Sequence, residues 1–346
     1  MKQFLSFLLL LMVLLTSCVP AASITTSTPA YTSTPFATAT PLPAFTATSL
    51  PTVSPTPDPY YTYSIDYLRS RTYGGGAVEF AEVIGQNLYF TRYLISYPSD
   101  GLSIYGFADI PNDEEIHPVI IALHGYIDPT IYTTLDYTTH YADALASAGY
   151  IVLHPNLRGY TPSDNGENLF RVGMAIDVLN LIALVQSQGG GTDQLKSANP
   201  NVIGLWGHSM GGGITTRVLT VNDDVKAAVL YAAMSGDEQK NYEAIRLWSG
   251  STRGLDEQNI PVEVLNRISP MYFFQNITAA VSIHHGMADQ LVPLEWSVMT
   301  CDQLTSLGKN VQCQYYQNMP HTFYGAGDEE FIQNTVQFFN QNLRMP

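Results

Sequence analysis

The sequence predicts an α/β fold: a mostly parallel sheet with helices on both faces and a small helical insertion. Three observations carry that expectation. From Val119 onward, short apolar runs alternate with helix-length segments, the pattern of parallel strands joined by right-handed crossovers. One of those runs, Val202–Trp206, leads straight into Gly207-His208-Ser209-Met210-Gly211 and then into a helix-forming stretch. Ahead of these, two alternating segments flank Ser99-Asp100-Gly101, an Asp-Gly hairpin signal.

The chain starts with Met1-Lys2-Gln3 and an apolar run from Phe4 to Leu15. That run has signal-peptide length and is short for a membrane span. It ends in Leu15-Thr16-Ser17-Cys18, which resembles the lipobox of bacterial lipoprotein signals. The resemblance implies cleavage before Cys18 and diacylglycerol on its sulfur. The other reading is an ordinary secretory signal that contains a cysteine. Residues 1–17 are thus read as signal and 18–59 as a tether. Val19–Pro59 is rich in Thr, Ser and Pro and nearly uncharged, so it cannot bury enough apolar surface to offset its ordering entropy. Lipid on Cys18 would make the protein anchored rather than spanning, extracytoplasmic on a bacterial membrane.

Residues 60–346 read as one domain. Leu88–Tyr97 and Leu102–Asp109 are the hairpin strands. Val119–Leu123 is a buried parallel strand with His124-Gly125-Tyr126 at its C-terminal end. Thr139–Ala148 is helical, with Gly149 as its C-cap, and Tyr150–Leu153 is the next strand. Leu169–Gln188 reads as a long amphipathic helix stopped by Gly189-Gly190-Gly191. Lys226–Tyr231 and Val281–His284 are strands, Glu295–Leu307 a helix, Val311–Tyr316 a strand and Asp328–Leu343 a terminal helix. Met234–Phe274 breaks this rhythm, with helical patches at Glu238–Leu247 and Pro261–Ile268. An insertion there lies over the C-terminal edge of the sheet, where ligands bind in open α/β folds, as a lid, a pocket wall or plain decoration.

Gly207–Gly211 fits the G-x-S-x-G elbow that places a serine on a sharp strand-to-helix turn. Small residues are needed there because the strand and the helix nearly touch. A serine hydroxyl needs a base to take its proton, and the base needs an orienting carboxylate. On such elbows the chain order is Ser, then Asp or Glu, then His. His284, His285 and His321 follow Ser209, and only His321 leaves room for an acid before it. Asp289, in the loop before Val292-Pro293, is the expected acid, and Asp237, one strand earlier, is the alternative. The expected oxyanion donors are the backbone N–H groups of Met210 and Tyr126. His124 is expected to pack beneath the loop rather than to react.

Together these residues resemble the α/β-hydrolase superfamily, and within it the prolyl-oligopeptidase-like and dienelactone-hydrolase-like branch. Beyond the elbow, the likeness rests on His124-Gly125-Tyr126, Arg158-Gly159, Ile268-Ser269-Pro270, His285-Gly286 with Asp289, and Pro320-His321-Thr322-Phe323. It covers about Tyr93 to the C-terminus. It implies a serine hydrolase working through an acyl-enzyme without a cofactor. Prolyl oligopeptidases carry a β-propeller of several hundred residues. Here a tether and some forty residues precede the hydrolase text, so no propeller is expected. Asn156 stands where many relatives carry an acidic residue, which bears on the shape of that loop.

The formal net charge of −15, with 15 Lys and Arg, argues against nucleic acid and against electrostatic binding to anionic lipid. No H-E-x-x-H or Cys-x-x-Cys pattern suggests a metal. Cys301 and Cys313 are either a disulfide, as an extracytoplasmic setting permits, or two free thiols. The activities in view are cleavage of carboxylic esters, cleavage of short peptides, and a surface binding module that keeps the fold without catalysis. The lipobox reading is checked directly: the full chain expressed in bacteria is expected in the detergent phase with a diacylglyceryl Cys18. Identical processing and membrane retention of Cys18→Ser would overturn it.

Overall fold

The computed structural model describes residues 58–344. The expected signal segment, Cys18 and nearly all of the tether lie outside the described residues. Among those residues one sheet forms from β1 (Glu79–Gln86), β2 (Phe90–Ser99), β3 (Leu102–Pro111), β4 (His117–Leu123), β5 (Ile151–Pro155), β6 (Ala198–His208), β7 (Val225–Tyr231), β8 (Ala280–Gly286) and β9 (Val311–Tyr316). Their order is β1-β2-β3-β5-β4-β6-β7-β8-β9. The first three and the β3–β5 contact are antiparallel, and every pairing from β5 to β9 is parallel. The helices are α1 (Ile65–Ser70), α2 (Thr139–Ser147), α3 (Val172–Gln188), α4 (Met210–Val221), α5 (Glu238–Trp248), α6 (Val262–Ile268), α7 (Leu294–Ser306) and α8 (Gly325–Leu343).

The strand period of two sorts side chains onto two cores. In β4, Val119, Ile121 and Leu123 join the core built with α1, α3 and α4, whereas Ile120 and Ala122 join the one built with α2 and α8. Trp206, Phe331 and Phe339 anchor the second core, each worth about 1.5–3 kcal/mol of apolar burial. The expected α/β arrangement, with helices on both faces, is therefore the observed one.

The hairpin turns as expected. Ser99 pairs with Leu102, and Asp100 and Gly101 between them take φ of 49° and 84°, as a type I′ turn requires. This turn also reaches α3. Ser99 Oγ donates to Asp177 Oδ1 at 2.6 Å, and Asn180 Nδ2 donates to Ser99 Oγ at 2.9 Å. Asp177 meanwhile accepts from the Arg158 guanidinium at 2.7 Å.

Three features differ from the sequence reading. Strand β1 was not expected. It is an edge strand, exposed along most of its length with irregular register against β2, so it has no clean alternation to read. The short α1 was likewise not expected. Helix α3 is not amphipathic: Val172–Ile182 is buried on every face, because the helix is covered by the sheet, α4 and the chain ahead of β1. Leu169–Gln188 is the one helical stretch among the described residues that is long and apolar enough to cross a membrane, and it is mostly buried here. Its first turn, Leu169–Arg171, is a separate 3-10 turn with Phe170 at φ 53°.

Cys301 on α7 and Cys313 on β9 form a disulfide, with Cα atoms 6.4 Å apart. It ties the last helix before the edge strand to that strand. Closing a loop of this length is worth about 3 kcal/mol in the chain-entropy treatment. The Cys301→Ser, Cys313→Ser double variant is expected to melt lower by several degrees in a thermal scan. Wild type alkylated under denaturing conditions without reductant is expected to take no label at either position.

Candidate active site

The site is built where β6 ends. Ser209 sits between β6 and α4 at φ 55° and ψ −115°, a backbone that a non-glycine residue holds only when its surroundings enforce it. Three hydrogen bonds enforce it. Its N–H donates to the Tyr231 carbonyl at 2.9 Å, and its own carbonyl accepts from Gly213 and Met234 at 3.1 and 3.0 Å. The glycines on either side are sterically required. A Cβ on Gly207 would lie 2.4 Å from the Gly211 carbonyl oxygen, and one on Gly211 would lie 2.4 Å from that of Leu123. Met210 is the first residue of α4, so its N–H has no acceptor within the helix and lies at the positive end of the dipole. Tyr126 follows β4, and its N–H likewise has no partner among the described residues.

Asp289 and His321 meet at the ends of β8 and β9. His321 Nδ1 lies 2.7 Å from Asp289 Oδ2. Asp289 Oδ1 accepts from the Leu291 and Val292 N–H groups at 2.8 and 3.0 Å. His285, which the sequence reading set aside, is a second ring against the same oxygen, with Nε2 at 3.1 Å. That nitrogen also faces the Val292 carbonyl at 3.0 Å, so it carries the proton, and Ser297 Oγ donates to Nδ1 at 2.7 Å. Burial alone would raise the Asp289 carboxyl. Hydrogen bonds from His285 and His321 outweigh it and hold the group well below the usual carboxylate range. The loops that carry Asp289 and His321 are stitched by backbone as well: Ala288 N–H donates to the Met319 carbonyl at 3.0 Å. Asp237 takes no part. It caps α5, accepting from Gln239 N–H at 3.0 Å.

Ser209, Met210, Tyr126 and His321 line one cavity of about 1070 Å³. The insertion supplies one wall through Ile245, Trp248 and Arg253, so it is neither remote decoration nor a free lid. Its base is anchored by buried charges: Glu238 pairs with both Arg217 and Arg171, and Glu257 pairs with Arg171. Removing one partner leaves a buried charge unpaired, a loss of about 3–5 kcal/mol. The outer end is held more lightly. The Arg253 guanidinium lies 4.4 Å above the Tyr126 ring and 3.5 Å from Asp128. His124 packs beneath the loop as expected, fully buried, with Nε2 2.8 Å from the Asn156 carbonyl. Asn156 is itself saturated, donating to Thr134 and Thr161 and accepting from Tyr132, a role no ionised carboxylate could fill because it has no protons to give. Neither His285 nor the arginine anchors could be singled out from sequence, because a useful His or Arg and a merely packed one have the same local pattern.

Asp289→Asn is expected to lower kcat by about three to four orders of magnitude. Asp237→Asn keeps a good N-cap and is expected to change it little; steady-state rates of both variants give the ranking. Because the Asp289 pKa is depressed on folding, its stabilisation is present above the unfolded value of about 3.9 and is lost as pH falls through the folded value. The stability gap between wild type and Asp289→Asn, read by urea denaturation, is therefore expected to be flat above about pH 5 and to shrink below about pH 4.

The structure is similar to Pyrococcus horikoshii acylaminoacyl peptidase, with TM-score 0.60 and 23% identity, over 75% of this chain and 43% of that one. It is similar to acetyl xylan esterase 1 from Thermoanaerobacterium sp., with TM-score 0.59 and 18% identity, over 81% and 92%. It is also similar to Est1E from Butyrivibrio proteoclasticus, with TM-score 0.54 and 21% identity, over 72% and 98%. The chain thus spans less than half the length of the acylaminoacyl peptidase. At these identities the likeness shows a shared α/β-hydrolase fold. The sequence pattern of the prolyl oligopeptidase family matches residues 136–346, more than half of the chain, from just ahead of α2 through the elbow and both loops that hold Asp289 and His321. By that match the chain belongs to the prolyl oligopeptidase family.

Proposed function

We propose that this protein is a serine hydrolase that cleaves carboxylic esters through an acyl-enzyme. The observation that carries the reading is the hydrogen bond from His321 Nδ1 to the buried Asp289, with His321 lining the same cavity as Ser209 on its strained turn. An ionised carboxylate only accepts, so the proton of His321 resides on Nδ1 and the Nε2 lone pair is left for the serine. Ser209 Oγ attacks the ester carbonyl as His321 takes its proton. The N–H groups of Met210 and Tyr126 receive the developing oxyanion. The alkoxide leaves with the proton from His321, giving an alcohol and an acyl-serine. Water then repeats the sequence and releases the acid. Asp289 stays ionised throughout, holding the ring and balancing the imidazolium.

Family membership by itself suits a peptidase acting on short peptides equally well. The ester reading is favoured because the chain spans 92% of an acetyl xylan esterase but only 43% of an acylaminoacyl peptidase. The lipid anchor on Cys18, the tether and the extracytoplasmic location belong to the same proposal and rest on the N-terminal sequence. The test is a panel of p-nitrophenyl esters and aminoacyl p-nitroanilides given to the purified domain, with Ser209→Ala as control. Esters are expected to turn over and anilides to lag far behind. A fluorophosphonate probe is expected to label wild type and not Ser209→Ala. Faster anilide turnover would favour the peptidase, and labelling of the variant would remove Ser209 from its role.

A further inference from the structure

A chain of hydrogen bonds runs between the two halves of this site, and the proposed reaction does not use it. Gly125 N–H donates to Tyr137 Oη at 3.0 Å. Tyr137 Oη lies 2.6 Å from His208 Nδ1, and His208 Nε2 lies 3.0 Å from the His321 carbonyl oxygen. The direction of every proton follows from the last acceptor. A carbonyl oxygen only accepts, so the proton of a neutral His208 is on Nε2. Its Nδ1 is then a bare lone pair, and the Tyr137 hydroxyl donates to it. The Tyr137 oxygen is left to accept from Gly125. Each donor in the chain points from Gly125 toward His321.

The surroundings keep that order. Burial drives the His208 imidazolium down to about 3, and the neighbouring His321 pushes the same way, so the ring stays neutral and the chain keeps one polarity. The ring cannot turn freely. Its centroid is 4.3 Å from that of Tyr231 and 4.6 Å from that of His321. At the other end the fit is equally tight: a Cβ on Gly125 would come 2.5 Å from Tyr137 Oη.

What the chain joins is specific. Gly125 N–H is one peptide ahead of the Tyr126 N–H, and the His321 carbonyl is the backbone of the base itself. One tyrosine hydroxyl and one imidazole therefore set the separation between the oxyanion loop and the base loop, with His208 fixed beside Ser209. We propose that Tyr137 and His208 are positioning residues for acyl transfer in this enzyme, acting through the backbones of Gly125 and His321. The proposal rests on the roles given above to Tyr126, Ser209 and His321. A displacement on the order of an ångström at such groups costs about 100-fold in rate.

The test uses Tyr137→Phe, which removes one oxygen and keeps the ring, and His208→Gln, which keeps an N–H for the His321 carbonyl. Three measurements are made: kcat and KM on a short p-nitrophenyl ester, the ratio of kcat/KM for an ester and its thionoester, and 15N spectra of labelled histidines. Tyr137→Phe is expected to lower kcat about 10- to 100-fold while KM stays within about threefold, with the melting temperature little changed. The preference for ester over thionoester is expected to narrow, because the oxyanion donors are no longer held for oxygen. His208→Gln is expected to lose less than a variant with no donor, His208→Phe. In wild type, His208 is expected to remain the neutral Nε2–H tautomer from about pH 5 to about pH 9. An Nδ1–H tautomer, or an unchanged kcat and thionoester ratio in Tyr137→Phe, would overturn the proposal. Should wild type cleave no ester, the functional reading fails by itself. The tautomer and the rate of fluorophosphonate labelling then decide the network separately.

Discussion

The arrangement depends on how closely α4 lies on the sheet. The first turn of α4 is in contact with the ends of β6 and β4 at once, and only hydrogen atoms fit where Gly207 faces Gly211 and Gly211 faces Leu123. Because the helix comes that close, the residue between strand and helix has no relaxed conformation open to it. Ser209 takes up the turn at positive φ, and its side chain is thrust above the sheet rather than into a core. The strain is offset by ordinary means: two packed cores, a satisfied backbone at Ser209, and parallel neighbours on both sides of β6. The same geometry points the α4 N-terminus at the cavity, so strain and electrostatics arise from one contact.

Around that point, rigidity is graded. Asp289 is firmly held, with hydrogen bonds from two backbone amides and the His321 ring and the His285 ring 3.1 Å from its carboxylate. The insertion is firm at its root, where buried arginines and glutamates pair, and looser at its tip, where Arg253 reaches exposed Tyr126 and Asp128. Surface ion pairs contribute little, typically under about 1 kcal/mol. The wall of the cavity is thus fixed near the sheet and yielding at the mouth.

Much of this was legible in the sequence, for identifiable reasons. Apolar runs that continue through β4, β6 and β8 reflect strands buried on both faces, and composition alone marks such strands. The hairpin was legible because Asp100-Gly101 is the dipeptide that a two-residue turn needs. Ser209, Asp289 and His321 stood out because the loops that carry them follow strands in a fixed order. Strand β1 was hidden because an exposed edge needs no alternation, and α3 was misread because a fully enclosed helix has no polar stripe. Tyr137 and His208 were beyond reach for another reason. Their contacts join partners distant along the chain, and no local pattern records a contact across 71 positions.

The bonds between the hairpin turn and α3 also bear on the order in which the molecule assembles. Strands β2 and β3 are joined by two residues, so their closure is a local event on the scale of about 1–10 μs. The parallel strands meet only after long crossovers, which cost loop entropy before any contact offsets it. Yet α3 carries Asp177 and Asn180 into the core, and Ser99 and Asp100 are among their partners. Until the hairpin docks, Asp177 keeps Arg158 but lacks the Ser99 hydroxyl, and the Asn180 amide lacks its two acceptors on Ser99 and Asp100, so enclosing α3 carries a penalty. An early local piece and a late central one are thereby made to finish together, through two side chains that do not line the cavity.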